Sequence, residues 1–501
     1  MVPHAPYDAI VLGGGPAGSA VGRLLSAWGH SVLLLDTPTP SSRGLAESLP
    51  PSTQKLLAHI GVLEAVERAG FFRATGNTVW WGSDDRRVET FHSPGAREAM
   101  GYQIHRPDFD RVLRDGARDA GAELRPNARV RDVRFESDRS IAVDYDDGER
   151  GRQTAAGRFV LDCTGRAGLV GRRFRRAEPG YRTCALVGVW KKPSGWDLPD
   201  ETHTIVETYD EGWMWSVPVS RDTRHVGAMV DRASSTVAGG RELEQVYRAE
   251  TAKATNLGRL LDGATLQRVW TCDASLYSSE QYAGPQFLLI GDAASFIDPL
   301  SSFGVKKALA SAWLGAIAVH TCLTDPARQD VALEFFSNWE RDVYAKHLGR
   351  SREFAREAQA RHPHAFWASR AASDDVKDAS EPDVARDPDV LAAFERFKQS
   401  PSIHLALADG VRFEPQPVIR DREIVLEDAF VTQAGLKACA TSALRFMGNV
   451  DLVRLADIAC RHTDVPDVFE DYCRTCAPVP LPSVVGGLSV LVAKGILHER
   501  A

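Results

Sequence analysis

The chain has 501 residues, with 60 Lys and Arg against 67 Asp and Glu, a formal net charge of −7. That length admits two or three packed domains, and the acidic balance speaks against nucleic acid as a bulk partner. A hydrophobic fraction of 44% and a charged fraction of 25% are ordinary for a globular chain and exclude global disorder.

The chain opens MVPHAPYDAIVLGGG, without a basic, apolar and small-residue leader pattern, and no apolar run reaches the roughly 18 residues of a membrane span. A cytoplasmic protein is expected. Tyr7 to Leu12 reads as a strand, Pro16 to Trp28 as a helix and Ser31 to Asp36 as a second strand, a βαβ opening. Between the first strand and the helix lie Gly13, Gly15 and Gly18 in GxGxxG spacing, with Pro16 and Ala17 inside the motif. Glycines let the backbone approach a pyrophosphate, the helix start offers free N–H groups, and Asp36 can accept from ribose hydroxyls. Dinucleotide binding follows from this context more than from the motif alone.

Further along, Phe159 to Leu161 is a strand running into Asp162-Cys-Thr-Gly165-Arg166. Strand-like stretches from about 181 to 290 suggest a mostly antiparallel sheet; Trp213 and Trp215, two apart, fall on one face of it. The strand Gln286 to Ile290 leads into Gly291-Asp292 and then Asp298-Pro299-Leu-Ser-Ser-Phe303-Gly304-Val305, which opens a helix. Helical pattern fills about 304 to 362. Ser373 to Pro388, rich in Asp, Ser, Pro and Ala, reads as a solvated connection. Beyond 420 the spacing suggests short helices ending in a winged-helix-like LSVLVAKGIL stretch, where nine Lys or Arg face eleven Asp or Glu, no DNA-binding balance. Eight scattered cysteines are too few for a disulfide framework; Cys473 and Cys476, with Cys439, Cys460 and His462 in the region, lack a second CxxC, and no metal is expected.

The late Gly291-Asp292 turn with its Pro299 and Gly304, and the segment Gly101 to Arg111 with Arg106 before a helix, resemble flavoproteins of the hydroxylase and halogenase superfamily. The resemblance covers roughly residues 5 to 365. It implies FAD as cofactor, with Asp292 at the ribityl chain, the N–H groups near Gly304 and Val305 at the flavin pyrimidine, and Arg106 close to the flavin. The Asp162 to Arg166 segment resembles the family's second glycine-containing FAD contact. The fold class is thus α/β: a Rossmann-type FAD-binding domain over 1–180 and 286–365, a substrate-domain sheet over 181–285, a linker over 366–419 and a helical module over 420–501. His105, beside Arg106, is weighed as a proton-transfer group against the commoner role of packing.

Gly212-Trp213-Met-Trp215-Ser-Val-Pro218 is similar to the GWxWxIP motif of flavin-dependent halogenases, which implies an aromatic wall between flavin and substrate, completed by Phe303 and Gly304. The family's halogenating lysine, however, has no counterpart: Ala74 or a neighbour stands in its place, and no lysine occurs between Lys55 and Lys191. Phe303 also replaces the small hydroxyl residue usual beside the halide. The stretches Glu47 to Ser52, Gly76 to Trp81 and Phe303 to Lys307 look most like the halogenase-related flavoproteins of tryptophylquinone maturation. The expectation is a monooxygenase that hydroxylates an electron-rich ring, an indole free or borne on a peptide or protein, through a C4a-hydroperoxyflavin. The alternatives are a halogenase with its lysine relocated to Lys306 or Lys307, a flavin-containing maturation or docking factor, and a reductase. The electron source, NAD(P)H or a separate flavin reductase, is open.

Overall fold

The computed structural model describes residues 5–37, 44–91, 100–137, 140–232, 241–372, 387–432 and 442–500. Two compact units divide the chain, Met1–Asp375 and Val376–Ala501.

In the first unit, parallel strands lie in the order Phe287–Leu289, Gly151–Asp162, Tyr7–Leu12, Val32–Asp36, Glu123–Pro126. The central strands are continuous apolar runs, Ala9 to Leu12 and Val32 to Leu35, because a parallel sheet is covered on both faces; all eight residues are buried. The helix Pro16–Ala27 starts where Pro16 presets φ, and the chain leaves it through Gly29 at φ +92°. An antiparallel hairpin, Arg129–Ser137 with Ser140–Asp147, extends this sheet from the N-terminal part of Gly151–Asp162.

A second, seven-stranded sheet runs Thr265–Asp273, Thr183–Lys191, Thr223–Asp231, Gly212–Pro218, Thr204–Tyr209, Gly76–Trp80, Arg87–Thr90. It is antiparallel save for one parallel pairing, Thr204–Tyr209 with Gly76–Trp80. So the sheet expected over 181–285 borrows two strands from residues ahead of 181, and that stretch also contains the helices Arg241–Thr251 and Thr255–Leu260. Residues 304–362 fold as the helices Gly304–Thr324 and Gln329–Arg361. Among the described residues no helix is long and apolar enough to cross a membrane.

The connection expected over 366–419 is corrected in part. Residues 373–386 of the Ser373 to Pro388 stretch lie outside the described residues. Around them, Ala365–Ala371 is helical, and Pro388–Gln399 is a helix whose Asp387 carboxylate accepts from the Asp389 N–H. Asp387-Pro388 is therefore a helix start, an N-cap followed by Pro at the first turn, and Val390, Ala393 and Phe397 bury the helix's apolar stripe. The strands Leu405–Leu407 and Phe413–Arg420 follow within the same compact unit. The short helices expected beyond 420 are Leu452–Ala459, Val465–Thr475 and Leu481–Ala493, and strands that were not expected precede them, Glu423–Thr432 and Ser442–Leu444. These helices pack a core of their own around Leu452, Leu455, Val468, Leu488 and Leu491. Cys439 lies outside the described residues, and among those described no His, Cys, Asp or Glu group is arranged to hold a metal ion.

Candidate functional site

One cavity of about 900 Å³ runs through the first unit, from the glycine turn after Tyr7–Leu12 to the inner face of the seven-stranded sheet. Gly13, Gly15, Pro16, Ala17 and Asp36 line one end, Trp213 and Trp215 the other, and Arg106, Asp292, Pro299, Gly304 and Val305 lie along the same walls.

At the first end the turn is tight. Gly13 has φ +95°, and a Cβ there would sit 2.7 Å from the Cys163 carbonyl oxygen. A Cβ on Gly18 would lie 1.8 Å from the Gly13 carbonyl oxygen, so Gly18 closes helix on strand and does not itself line the cavity. Gly15 differs: a Cβ would meet nothing nearer than Arg106 Nη2 at 3.8 Å and would project towards open space. The helix that follows has no side-chain cap and no acidic residue in its first turn, leaving its N–H groups available to an anion.

Asp36 is 5% exposed. Its Oδ1 accepts from the Gly14 N–H at 2.8 Å, and Arg114 Nη1 stands 3.6 Å from Oδ2. Oδ2 itself has no hydrogen-bond partner. Burial pushes the Asp36 carboxyl up, opposed by the Gly14 N–H and Arg114. A buried carboxylate oxygen without a donor beside a glycine turn is what the ribose hydroxyl of an adenine dinucleotide satisfies, so these residues fit FAD.

Midway, Arg106 is held between two carboxylates. Its Nη1 donates to Glu47 Oε1 at 2.6 Å, Nε to Asp110 Oδ1 at 3.0 Å and Nη2 to Asp110 Oδ2 at 3.2 Å. Burial acts to lower the Arg106 value, but Asp110 and Glu47 outweigh it and hold the guanidinium charged. Burial pushes Glu47 up against the pull of Arg106. Arg106, Asp110 and Arg114 recur every four residues on the helix Arg106–Asp119, one face turned to the cavity. The i, i+4 spacing carried that signal, yet Asp110 and Arg114 went unread as site residues.

The Gly291-Asp292 turn meets the start of the helix Gly304–Thr324. Gly291, at φ +66°, does not line the cavity; it packs beside Ala17 and Ala308 and donates its N–H to Ser311 Oγ at 2.9 Å. Asp298 caps the short Pro299–Ser301 turn by accepting from the Leu300 N–H, and Ser302 follows in the left-handed region at φ +51°. The helix then begins without a side-chain cap or acidic first-turn residue, and its Gly304 and Val305 line the cavity. The place of Phe303 is a correction. Its ring packs 5.5 Å from that of His347 and against the cluster of Tyr181, Ile297 and Tyr344, because the left-handed step at Ser302 turns residue 303 off the wall. Phe303 therefore does not line the cavity among the described residues.

Lys307 is buried and donates to the carbonyls of Gly291 (2.9 Å) and Ser295 (2.6 Å). Lys306 donates to Ser52 Oγ at 2.8 Å. Among the described residues no lysine lines the cavity. His105 does not line it either; its Nδ1 pairs with Asp108 Oδ2 at 2.9 Å at the helix start.

At the far end Trp213, Trp215 and Val217 alternate along one strand and face inward together, with Val187, Val206 and Met229 from neighbouring strands. Trp213 is 4% exposed and stands edge-on to Trp81, which also contacts Trp367 and Phe354. Trp215 lies over the bare backbone of Gly227, where a Cβ would come within 2.2 Å of the indole. Cys272 and Phe296, which no motif marked, complete this wall beside Arg166.

The family model described as the FAD binding domain matches residues 6–331. The chain is 30% identical over 335 residues to a tryptophan 2-halogenase of Chondromyces crocatus, covering 65% of this chain and 63% of that protein, so the match spans less than two thirds of that relative's length. Among solved structures, the flavin-dependent halogenase CmlS superposes with TM-score 0.76 at 22% identity over 99% of this chain and 96% of that one. The peptidyl tryptophan dihydroxylase QhpG superposes with TM-score 0.68 at 21% identity over 98% of this chain and 100% of that one. The chain belongs to the FAD binding domain family, and it is similar in sequence and fold to the flavin-dependent proteins just named. The α/β fold class and FAD as the cofactor stand as read from the sequence.

Proposed function

We propose that this enzyme adds oxygen to an electron-rich aromatic ring, an indole of tryptophan, free or carried on a peptide or protein. The observation that carries the reading is the pairing of an inward-facing indole wall with a cavity that, among its described residues, presents no lysine. Reduced FAD and dioxygen supply the electrophilic oxygen; one oxygen atom enters a ring C–H bond as hydroxyl, and the other leaves as water with two protons.

The chain's own residues bind, orient and shield. Gly13 to Gly15 and the first turn of Pro16–Ala27 would take the pyrophosphate, and Asp36 Oδ2 a ribose hydroxyl. Asp292 and the N–H groups at Gly304 and Val305 would face the ribityl chain and flavin ring, where a positive helix end favours the charge that reduction brings. Arg106, already neutralised by Glu47 and Asp110, holds that side of the cavity without adding net positive charge. Trp213 and Trp215 give a flat, rigid surface on which an indole stacks, and the sheet behind them keeps out water.

The test is mass spectrometry of products from reduced flavin, oxygen and tryptophan-containing peptides. A gain of one or two oxygens, indifferent to added bromide, is expected; peroxide alone with every indole, phenol and peptide offered ends the reading. A halogenase is the second reading, favoured by the names of the curated relatives, most of them halogenases. Bromide-dependent product mass would establish it. Omitting a reductase while supplying NAD(P)H separates direct reduction from a partner-fed flavin. A maturation or docking factor is distinguished by partner binding that persists when flavin turnover is blocked.

A further inference from the structure

The cavity reaches solvent along the loop that follows Asp162. Arg166, Ala167 and Leu169 line the cavity and are exposed, Leu169 at 38%. Beneath them the buried Asp162 carboxylate accepts from the Thr164 hydroxyl (2.6 Å) and from the N–H groups of Val170 (2.7 Å) and Gly171 (2.9 Å). The loop is thereby fixed as two short helical turns, Gly165–Ala167 and Gly171–Phe174, continuing into the strand Arg175–Ala177.

This fixed ridge is rich in arginine. Arg166, Arg172, Arg173 and Arg176 are exposed. Arg175 lies inward, its guanidinium 3.7 Å from the Tyr277 ring centre and its Nη2 on the Arg166 carbonyl at 2.9 Å. Arg173 rests against Phe135 and Phe174, contacts that aim a guanidinium without cancelling its charge. Among the described residues none of these five arginines forms an ion pair, whereas Arg106 and Arg114, inside the cavity, stand beside carboxylates. The acidic groups nearby are mostly engaged: Glu178 by Arg352 and Tyr344, Asp273 by Arg232, with Glu280 exposed beside Phe174. In a chain of net charge −7, uncompensated positive charge is concentrated at the rim of its cavity.

We propose that this ridge docks an acidic polypeptide segment that carries the aromatic residue to be oxidised. The inference rests on the reading of a peptide-borne indole. Guanidinium forks match carboxylates in paired hydrogen bonds, and several of them spread over two turns and a strand suit an extended run of Asp or Glu better than one small anion. Leu169 offers an apolar contact within the ridge, beside the entrance. Such a surface acts on encounter and register, leaving the chemistry to the cavity.

Two synthetic peptides with the same central tryptophan, one flanked by Asp and Glu and one by Lys, test this with the FAD-loaded protein and its Arg172→Glu/Arg176→Glu variant. By fluorescence anisotropy the acidic peptide is expected to bind about 10-fold or more tighter at low salt, the gap closing in high salt and in the variant. The variant's flavin absorbance and its turnover of free tryptophan stay as in the parent. Equal binding of the two peptides, or acidic-peptide binding indifferent to the variant, overturns the proposal. So does tight, variant-sensitive binding of inorganic pyrophosphate with no peptide preference, which assigns the ridge to a small phosphate-bearing ligand. Charge-dependent peptide binding without oxidation of any peptide leaves the ridge in place and removes the proposed reaction instead.

Discussion

The two ends of the cavity are built on different principles. The glycine end offers backbone: uncapped helix starts, a turn that admits no side chain at Gly13 or Gly18, and one carboxylate oxygen awaiting a donor. The tryptophan end offers side chains, gathered from five strands of a sheet and backed by further aromatic rings. Backbone recognition demands particular residues in a short run, whereas a side-chain wall needs bulk and polarity that many residues supply. On the proposed reading, one end fixes the cofactor and the other tunes the substrate.

Substitutions at the glycines should break the contrast most severely. Gly18→Val drives a side chain into the Gly13 carbonyl oxygen, and no folded, yellow protein is expected on purification. Gly15→Val, whose new side chain meets only space and Arg106, should fold with the parent's apo-protein melting temperature yet lose FAD affinity on the order of 100-fold by fluorescence titration, since the pyrophosphate needs that close approach. If both variants behave alike, the distinction between a packing glycine and a binding glycine fails.

At the other end Trp215→Ala should leave FAD affinity unchanged and lower kcat/KM for an aromatic substrate about 10-fold, the worth of one aromatic contact of roughly 1.4 kcal/mol. A loss of FAD affinity instead would mean that the two ends are not separable. An effect of similar size, seen only on acidification, belongs to the buried His225, which accepts from the Ala46 N–H at 3.2 Å. Burial, and then His105 and Arg268, bring its value down to about 3. Between that value and its ordinary one near 6.5 the unfolded chain binds the proton and the folded chain does not, so stability falls as pH falls through this window. Urea melts at pH 7.5 and 5.0 should show that His225→Asn recovers about 2 kcal/mol of the acid loss, following 1.4 kcal/mol per unit below about 6.5.

The same contrast decides what could be read from the sequence. GxGxxG with Asp36, and Gly291-Asp292 with Pro299 and Gly304, were legible because backbone chemistry restricts both residue type and spacing. Trp213 and Trp215 were legible because strand periodicity fixes a shared face. Phe303 was not, since one left-handed residue at Ser302 redirects the chain, and a non-glycine there gives no warning. Cys272 and Met229 reach the wall only through long-range strand pairing. In the second unit Asp387-Pro388 has the composition of a loop and the function of a helix cap, and the strand Glu423–Thr432 lacks strict alternation, with Glu423 and Glu427 at a spacing that a helix could also carry.

Gly227 sets a dimension. Because hydrogen alone stands between its backbone and the indole of Trp215, the ring lies back against the strand, and the breadth of the cavity at that point is established by a missing methyl group. Alanine there would push the indole inwards and narrow the cavity, so that on the proposed reading the range of ring sizes admitted is governed from behind the wall.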